Sequence, residues 1–309
     1  MKITLPDNSS RELPEGSSGY DLAKDIGPGL AKSAVAVTIN GIQKDLHDVI
    51  EGDVSASIIT IDSDEGIEIM RHTLTAQVLA RAVKNIYPNS KLAIGPTIED
   101  GFYYDVETEE ALSIDDLKKI EDEMIKIVKT KSSITKKLVS KEEALKIFKS
   151  QKETYKESII DESEQISDFQ LYYQDDEMFV DLCRGPHLPS LSFVGAFKLT
   201  KVSGAYWKGD SKNKMLTRIY GTAWKNEKEL NKYLTTLDEA QKRDHRKLGK
   251  EMNLFHFQDE APGMVFWHPN GWTIYRNLRN FIRKRLQDND YIEVNTPQVI
   301  DRKLWEASG

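Results

Sequence analysis

The chain has 309 residues, with 43 Lys and Arg against 50 Asp and Glu and a formal net charge of −7. At roughly 100–200 residues per domain this length predicts about two or three domains, and a composition of 39% apolar and 30% charged residues is too apolar and too varied for a wholly disordered chain. A single cysteine, Cys183, excludes an intrachain disulfide and any multi-cysteine zinc module, and no run approaches the roughly 18 uncharged apolar residues of a membrane span. The N-terminus breaks at Pro6 and Asp7 before a signal-peptide core could form, so a cytoplasmic protein is expected. Residues 1–61 read as a small β-rich unit. Met1–Leu5 alternates, Ala34–Ile39 and Val54–Ile61 are β-branched runs, and Asn40-Gly41 is a turn signal. One short helix is expected over Gly19–Ile26, stopped by Gly27-Pro28-Gly29.

Ile61–Gly66 is a polar break and the first expected boundary. A helix follows from about Thr73 to Ile86, with Leu79, Ala82 and Val83 on its apolar face. Ser113-Ile-Asp-Asp116 is a capping-box pattern ahead of Leu117, Ile120, Met124, Ile127 and Val128 at helical spacing. Ser140-Lys-Glu-Glu143 repeats the pattern before a helix reaching about Lys149. Strands are expected at Gly101–Val106, Tyr172–Leu182, Phe193–Val202 and Met215–Ala223, so residues 62–224 mix helices with an antiparallel sheet. A long helix is expected from Asn226 to about Gly249, basic at its C-terminal end. From Glu251 a third unit opens: a loop to Trp272, a helix over Thr273–Gln287, a strand over Tyr291–Val294, then Pro297, with Leu304 and Trp305 beginning another element. These pieces do not make a closed core, so this unit reads as incomplete. The fold class is α+β, multi-domain.

The sharpest local constellation is Asp181-Leu-Cys183-Arg-Gly-Pro-His187, where Gly185-Pro186 would turn the chain so that thiol and imidazole converge. Cys-x₃-His spacing suits zinc with two further ligands, or an activated thiol. The plainer reading is a small buried cysteine beside a structural histidine. His72, placed just before the expected helix, is the other chemical residue. Its i+4 neighbour is Ala76, and Gln77 falls off its face, so His72, Cys183 and His187 are at most three soft metal donors, and a firmly bound metal is disfavoured. His245, His256 and His268 lie near aromatic or basic residues and read as structural or ligand-contacting. Arg276, Arg279, Arg283, Lys284 and Arg285 make a basic helix stretch that is either a solvated face or a phosphate contact; the acidic balance argues only against binding nucleic acid by bulk charge. No Gly-x₄-Gly-Lys-Ser/Thr and no Gly-x-Gly-x-x-Gly motif is present.

Longer strings go further. Arg71-His72, Ala93–Asp105 (AIGPTIEDGFYYD), Val180–His187 (VDLCRGPH), Gly204–Asp210 (GAYWKGD), Arg218–Trp224 (RIYGTAW), Lys242–Lys247 (KRDHRK) and Ala261–His268 (APGMVFWH) closely resemble bacterial threonyl-tRNA synthetases, in order along essentially the whole chain. The resemblance implies a ubiquitin-like β-grasp TGS domain over 1–61, an α+β editing domain over 62–224, a linker helix over 225–250, and the start of a class II antiparallel-sheet domain over 251–309. Tyr291–Pro297 is similar to class II motif 1, which usually builds a homodimer interface. Motifs 2 and 3 lie beyond Gly309, so the chain is expected to be the N-terminal part of a longer ligase and not to charge tRNA by itself. ATP, Mg and Zn are expected of full-length members and no cofactor of this span.

In that family the second domain hydrolyses seryl-tRNA made in error. One methyl discriminates by only about 1–3 kcal/mol in one pocket, so a second, smaller sieve is needed. By motif position the resemblance assigns catalysis to His72, Lys156, Asp181, Cys183 and His187. His72 and His187 would stand around the water and terminal ribose, Lys156 would supply positive charge, Asp181 would orient a partner or hold the seryl amine, and Cys183 would shape the pocket. Gln77, Tyr103, Tyr104 and Arg184 are expected to bind substrate; Lys242, Arg243, Arg246, Arg283 and Lys284 are expected to contact RNA. The partner implied is tRNA(Thr) and its 3′ aminoacyl ester, with no DNA and no membrane. The family usually reads His-x₃-His where this chain reads His72-Thr-Leu-Thr-Ala-Gln77, one residue longer and with Gln at its end. Gln cannot titrate, so it cannot act as a base. A free-standing deacylase and a non-catalytic tRNA-binding or dimerising module are the alternatives.

Overall fold

The computed structural model describes residues 1–174, 179–296 and 301–308. The described chain divides into two compact units, Met1–Lys232 and Tyr233–Gly309.

The first unit opens with a five-stranded mixed sheet in the order β2-β1-β5-β3-β4. Its strands are β1 (Lys2–Thr4), β2 (Ser10–Glu12), β3 (Ala34–Ile39), β4 (Ile42–Asp45) and β5 (Val54–Thr60). The pair β1 and β5 is parallel, the others antiparallel. The β3–β4 hairpin turns at Asn40 and Gly41, both at positive φ (50° and 82°), as the Asn-Gly signal requires. Helix α1 (Gly19–Ile26) is held by a capping box between Ser18 and Asp21 and buries Leu22 and Ala23 on the sheet. Helix α2 (Pro28–Ser33) follows at once.

The rest of the unit is built around one long helical run. It comprises α3 (Asp64–Thr73), a π-helical segment (Leu74–Leu79) and α4 (Ala80–Ile86). The run starts nine residues before the expected Thr73, because the supposed break contains its cap: the Ser63 hydroxyl accepts the Gly66 amide. His72 therefore sits inside the helix, not ahead of it. The expected apolar face is buried, with Leu79, Ala82 and Val83 at 0% exposure. Against this run packs an antiparallel sheet in the order β12-β13-β8-β6, with β7 paired to β8. It is built from β6 (Lys91–Leu92), β7 (Thr97–Ile98), β8 (Gly101–Glu107), β12 (Ala196–Tyr206) and β13 (Met215–Trp224). Helix α5 (Ile114–Lys129), started by the Ser113–Asp116 capping box, covers the same core with Leu117, Ile120, Met124 and Ile127.

A second antiparallel sheet, β11-β10-β9, has its own small core with α6 (Lys141–Ser150) and α7 (Thr154–Glu162). Its strands are β9 (Ile134–Val139), β10 (Phe169–Gln174) and β11 (Phe179–Leu182). Strand β9 and helix α7 were not expected. The single strand expected over Tyr172–Leu182 is the β10–β11 pair, whose connecting residues lie outside the described ones.

Helix α8 (Glu227–Lys242) is followed by a separate α9 (His245–Glu251). The single helix expected to Gly249 is broken because Asp244 takes an N-cap conformation and accepts the Arg246 amide. The second unit also holds a short hairpin of β14 (Phe255–His256) and β15 (Phe266–Trp267), α10 (Pro269–Gln287) and α11 (Arg302–Ser308). Tyr291–Val294 is not a paired strand: no neighbouring strand reaches it among the described residues. Pro297 lies outside the described residues.

Candidate active site

A cleft of about 580 Å³ opens in the first unit between the long helical run, α7 and the end of β11. His72, Ala76, Tyr104, Lys156, Asp181, Cys183 and Arg184 line it. Four of the five residues assigned to catalysis thus line one cleft. The fifth, His187, is 1% exposed and lies behind His72, ring on ring at 4.6 Å and 22°.

Lys156 and Asp181 form a pair buried almost completely, Nζ to Oδ1 at 2.6 Å with side chains 4% and 2% exposed. Asp181 also accepts the Tyr104 hydroxyl at 3.1 Å and the Leu182 amide at 2.8 Å. Both its oxygens are therefore committed to holding Lys156 and Tyr104 in place. Burial pushes the Asp181 carboxyl upward, against the pull of Lys156, Tyr104 and the amide. Tyr104, buried beside that carboxylate, is raised well above the ordinary phenol value and stays a hydrogen-bond donor.

The second pair is His72 and Cys183, Nε2 to Sγ at 3.0 Å. The Nδ1 of His72 lies 3.3 Å from the Pro186 carbonyl, which can only accept, so Nδ1 carries a proton and Nε2 faces the sulfur. Burial opposes ionisation of both groups. The thiol still raises His72, and His187 together with His72 holds Cys183 well below the ordinary thiol value. His187, fully buried and beside a second imidazole, is lowered. Its tautomer follows from hydroxyl accounting. Thr73 gives its one proton to the Ile69 carbonyl at 2.8 Å and accepts the Leu188 amide at 2.9 Å. The contact from His187 Nδ1 at 3.2 Å must then be a donation by His187. Its Nε2 is left bare, buried and without a partner.

The loop between Cys183 and His187 closes on Gly185 at φ 64°, where a Cβ would stand 1.9 Å from the Tyr172 hydroxyl. Only glycine fits both the left-handed backbone and that contact.

The extra residue after His72 is absorbed by the π segment, whose i→i+5 pattern turns Ala76 to the cleft. Gln77 does not line the cleft. It is 0% exposed, its carbonyl and Oε1 accept from Gln174 Nε2, and its own Nε2 has no partner. Tyr103 also does not line the cleft: strand alternation puts it on the opposite face of β8, where the Arg218 guanidinium lies 3.8 Å from its ring centre. Arg184 is exposed at the cleft mouth. The residues expected to contact RNA all belong to the second unit. Lys242 pairs with Asp238 and Glu239, Arg243 with Glu239, Arg246 with Asp244, and Arg283 with Glu293. Lys284 lies on α10.

His72, Cys183 and His187 bring one donor atom each within 4.8 Å of one another, a soft set chemically suited to zinc. Ala76, at the next position on that wall, adds no donor. Sequence reasoning missed Thr73, Tyr172 and Asp45, which hold His187 from behind. None belongs to a motif, and the spacing that joins them exists only in the fold.

Residues 1–60 match the TGS domain family, and residues 170–220 match the family described as the threonyl and alanyl tRNA synthetase second additional domain. The chain is 51% identical over 307 residues to the threonine–tRNA ligase of Hahella chejuensis (strain KCTC 2396), an alignment covering 99% of this chain and 48% of that protein. The chain thus spans about half the length of this relative.

Proposed function

We propose that this chain belongs to the threonine–tRNA ligase family and that its cleft hydrolyses the ester of a tRNA mischarged with serine. The observation that carries this reading is the lining of one cleft by two pairs: the buried Lys156–Asp181, backed by Tyr104, and the half-buried His72–Cys183. Ester hydrolysis needs a water that loses a proton, a cation or donor at the developing oxyanion, and a proton for the leaving ribose oxygen. Lys156, held by Asp181, is the cation for the oxyanion, and the Tyr104 hydroxyl, whose one proton goes to Asp181, fixes that carboxylate. The His72–Cys183 couple takes the proton from water as the new carbon–oxygen bond forms. It returns that proton to the ribose oxygen as the acyl–oxygen bond breaks, leaving serine and a free tRNA hydroxyl. His187 keeps the couple in place from behind, and Cys183 acts in proton exchange and pocket shape, not as a covalent nucleophile. Arg184 at the mouth is suited to a phosphate of the tRNA 3′ end.

The ATP-dependent ligation named for the relative is, for this chain, a proposal tied to the other half of that protein's length, as are ATP, Mg, Zn and dimerisation. A binding role without turnover is the second reading. Ala76 and the inward Gln77 favour it, since neither offers a titratable group to the cleft.

Deacylation of seryl-tRNA(Thr) beside threonyl-tRNA(Thr) by the purified chain separates the two. Selective loss of the seryl ester, reduced about 100-fold or more by His72→Ala and by Lys156→Ala, is expected. Unchanged deacylation in both variants would remove these residues from the mechanism, and no loss of either ester with tRNA still bound would favour the binding role.

A further inference from the structure

We propose that Asp45, the last residue of β4 in the N-terminal sheet, is a positioning residue for the cleft in the neighbouring domain, holding His187 and Tyr172 as one unit. The inference deepens the hydrolytic reading and rests on it for its kinetic arm.

One carboxylate serves both partners. Its Oδ1 accepts the His187 main-chain amide at 2.8 Å, and its Oδ2 accepts the Tyr172 hydroxyl at 2.7 Å. The Tyr172 ring stands edge-on to the His187 imidazole, centroids 4.3 Å apart at 78°. The same imidazole stacks on His72, centroids 4.6 Å apart at 22°. A carboxylate from residue 45 therefore reaches the first side chain on the cleft wall through two ring contacts. The same loop carries Cys183 and Arg184, and Gly185 packs under the Tyr172 hydroxyl, so a shift of either anchor displaces the wall itself.

A plain domain clasp would look different. The clasp is already present in Lys136, which pairs with Asp48 at 2.5 Å and with Asp45 Oδ2 at 2.9 Å. Asp48 could hold the two sheets together without touching His187. Asp45 adds the two contacts that end at the imidazole, and its side chain is only 16% exposed, which shields them from competing water. An amide at this position keeps one acceptor for the His187 amide. Its NH₂ would face the Tyr172 hydroxyl and the Lys136 ammonium, both of which present protons there.

The test compares Asp45→Asn with Asp48→Asn in the full chain. The two variants read domain docking in common, and only the first removes contacts to His187 and Tyr172. For Asp45→Asn, kcat for seryl-tRNA deacylation is expected to fall about 10-fold or more with KM little changed, since the defect is placement of the wall and not binding. Ring resonances of His187 and His72, observed with histidine-selective labelling, are expected to move. Asp48→Asn is expected to leave kcat and these resonances unchanged. Equal loss of thermal midpoint in both variants, with kcat and the ring resonances unmoved, would overturn the proposal and leave Asp45 a clasp. If the parent chain hydrolyses no seryl ester, the hydrolytic reading fails alone. The ring resonances then decide Asp45 by themselves: movement confined to Asp45→Asn supports it, and none overturns it.

Discussion

Lys156 and Asp181 show how a buried ion pair is held in place by what it would cost to break it. Removing one partner leaves a bare charge in a site with almost no solvent. Lys156→Met is expected to destabilise the first unit by about 3–5 kcal/mol, and Lys156→Met with Asp181→Leu to recover most of that loss, because the double change leaves no uncompensated charge. Urea unfolding measures both; a single variant as stable as the parent would mean that water or a rearranged carboxylate compensates the charge. Hydrolysis is expected to be lost in both variants, so stability and activity part company in the double one. The His72–Cys183 couple makes a second prediction at this scale. Cys183, depressed, contributes stability fully present above its ordinary value of 9.0 and lost as pH falls through the folded value. His72, raised, contributes stability fully present below 6.5 and lost as pH rises through its folded value. Because Cys183 is the only cysteine, its alkylation by iodoacetamide reports the thiolate without interference. The rate is expected to reach its plateau well below pH 9.0, and His72→Ala or His187→Ala to move the rise upward. A parent rate still climbing through pH 9.0 would show a neutral thiol in the folded chain.

At the scale of elements, the helical run from Asp64 to Ile86 explains both what the sequence discloses and what it hides. Its apolar spacing after Thr73 is legible, and so are the caps at Ser113 and Ser140, because these signals are local: a hydroxyl three residues before a carboxylate, or apolar residues a turn apart. The start at Ser63 reads as a polar break because a good cap and a loop use the same residues. The π segment is invisible to any 3.6-residue periodicity, and with it the exchange of Gln77 for Ala76 on the cleft wall. The motif string around Cys183 marks the site, but His187 behind the wall and Asp45 from another sheet depend on contacts across 114 and 142 residues of chain. The π segment can be tested directly. It behaves as one inserted residue between two α-helices that pack on the same core. Deleting Thr75 is expected to restore i→i+4 bonding across residues 74–79 and to slow amide exchange there, since one wide turn becomes a regular one. Exchange that is unchanged or faster would mean that the Thr75 hydroxyl, which donates to the Tyr103 carbonyl at 2.8 Å, holds the wide turn in place.

At the scale of the whole molecule the two units differ in how they treat apolar surface. The first buries most of its large apolar side chains in cores and leaves a few, such as Ile42 and Ile114, exposed on its surface. In the second, α10 shows Leu278, Phe281 and Ile282 at 62%, 57% and 54% exposure, and Ile292 and Val294 stand at 88% and 77%. A groove of about 550 Å³ runs between the helix and this segment, lined by Tyr275, Leu278, Ile282, Leu286, Tyr291 and Ile292. Contiguous apolar surface of this kind is uncommon on a soluble monomer, and each such side chain gains about 1.5–3 kcal/mol when fully covered. The basic side chains on the same helix limit association at low salt through like-charge repulsion and lose that effect as salt screens them. The purified chain is therefore expected to associate in a concentration-dependent way that strengthens with salt, and Leu278→Glu with Ile282→Glu is expected to abolish this without altering the deacylation assigned to the first unit. Sedimentation equilibrium at low and high salt measures it. A single monomeric species at every concentration, unfolding in one cooperative step, would mean that the exposed strip is covered within the chain itself.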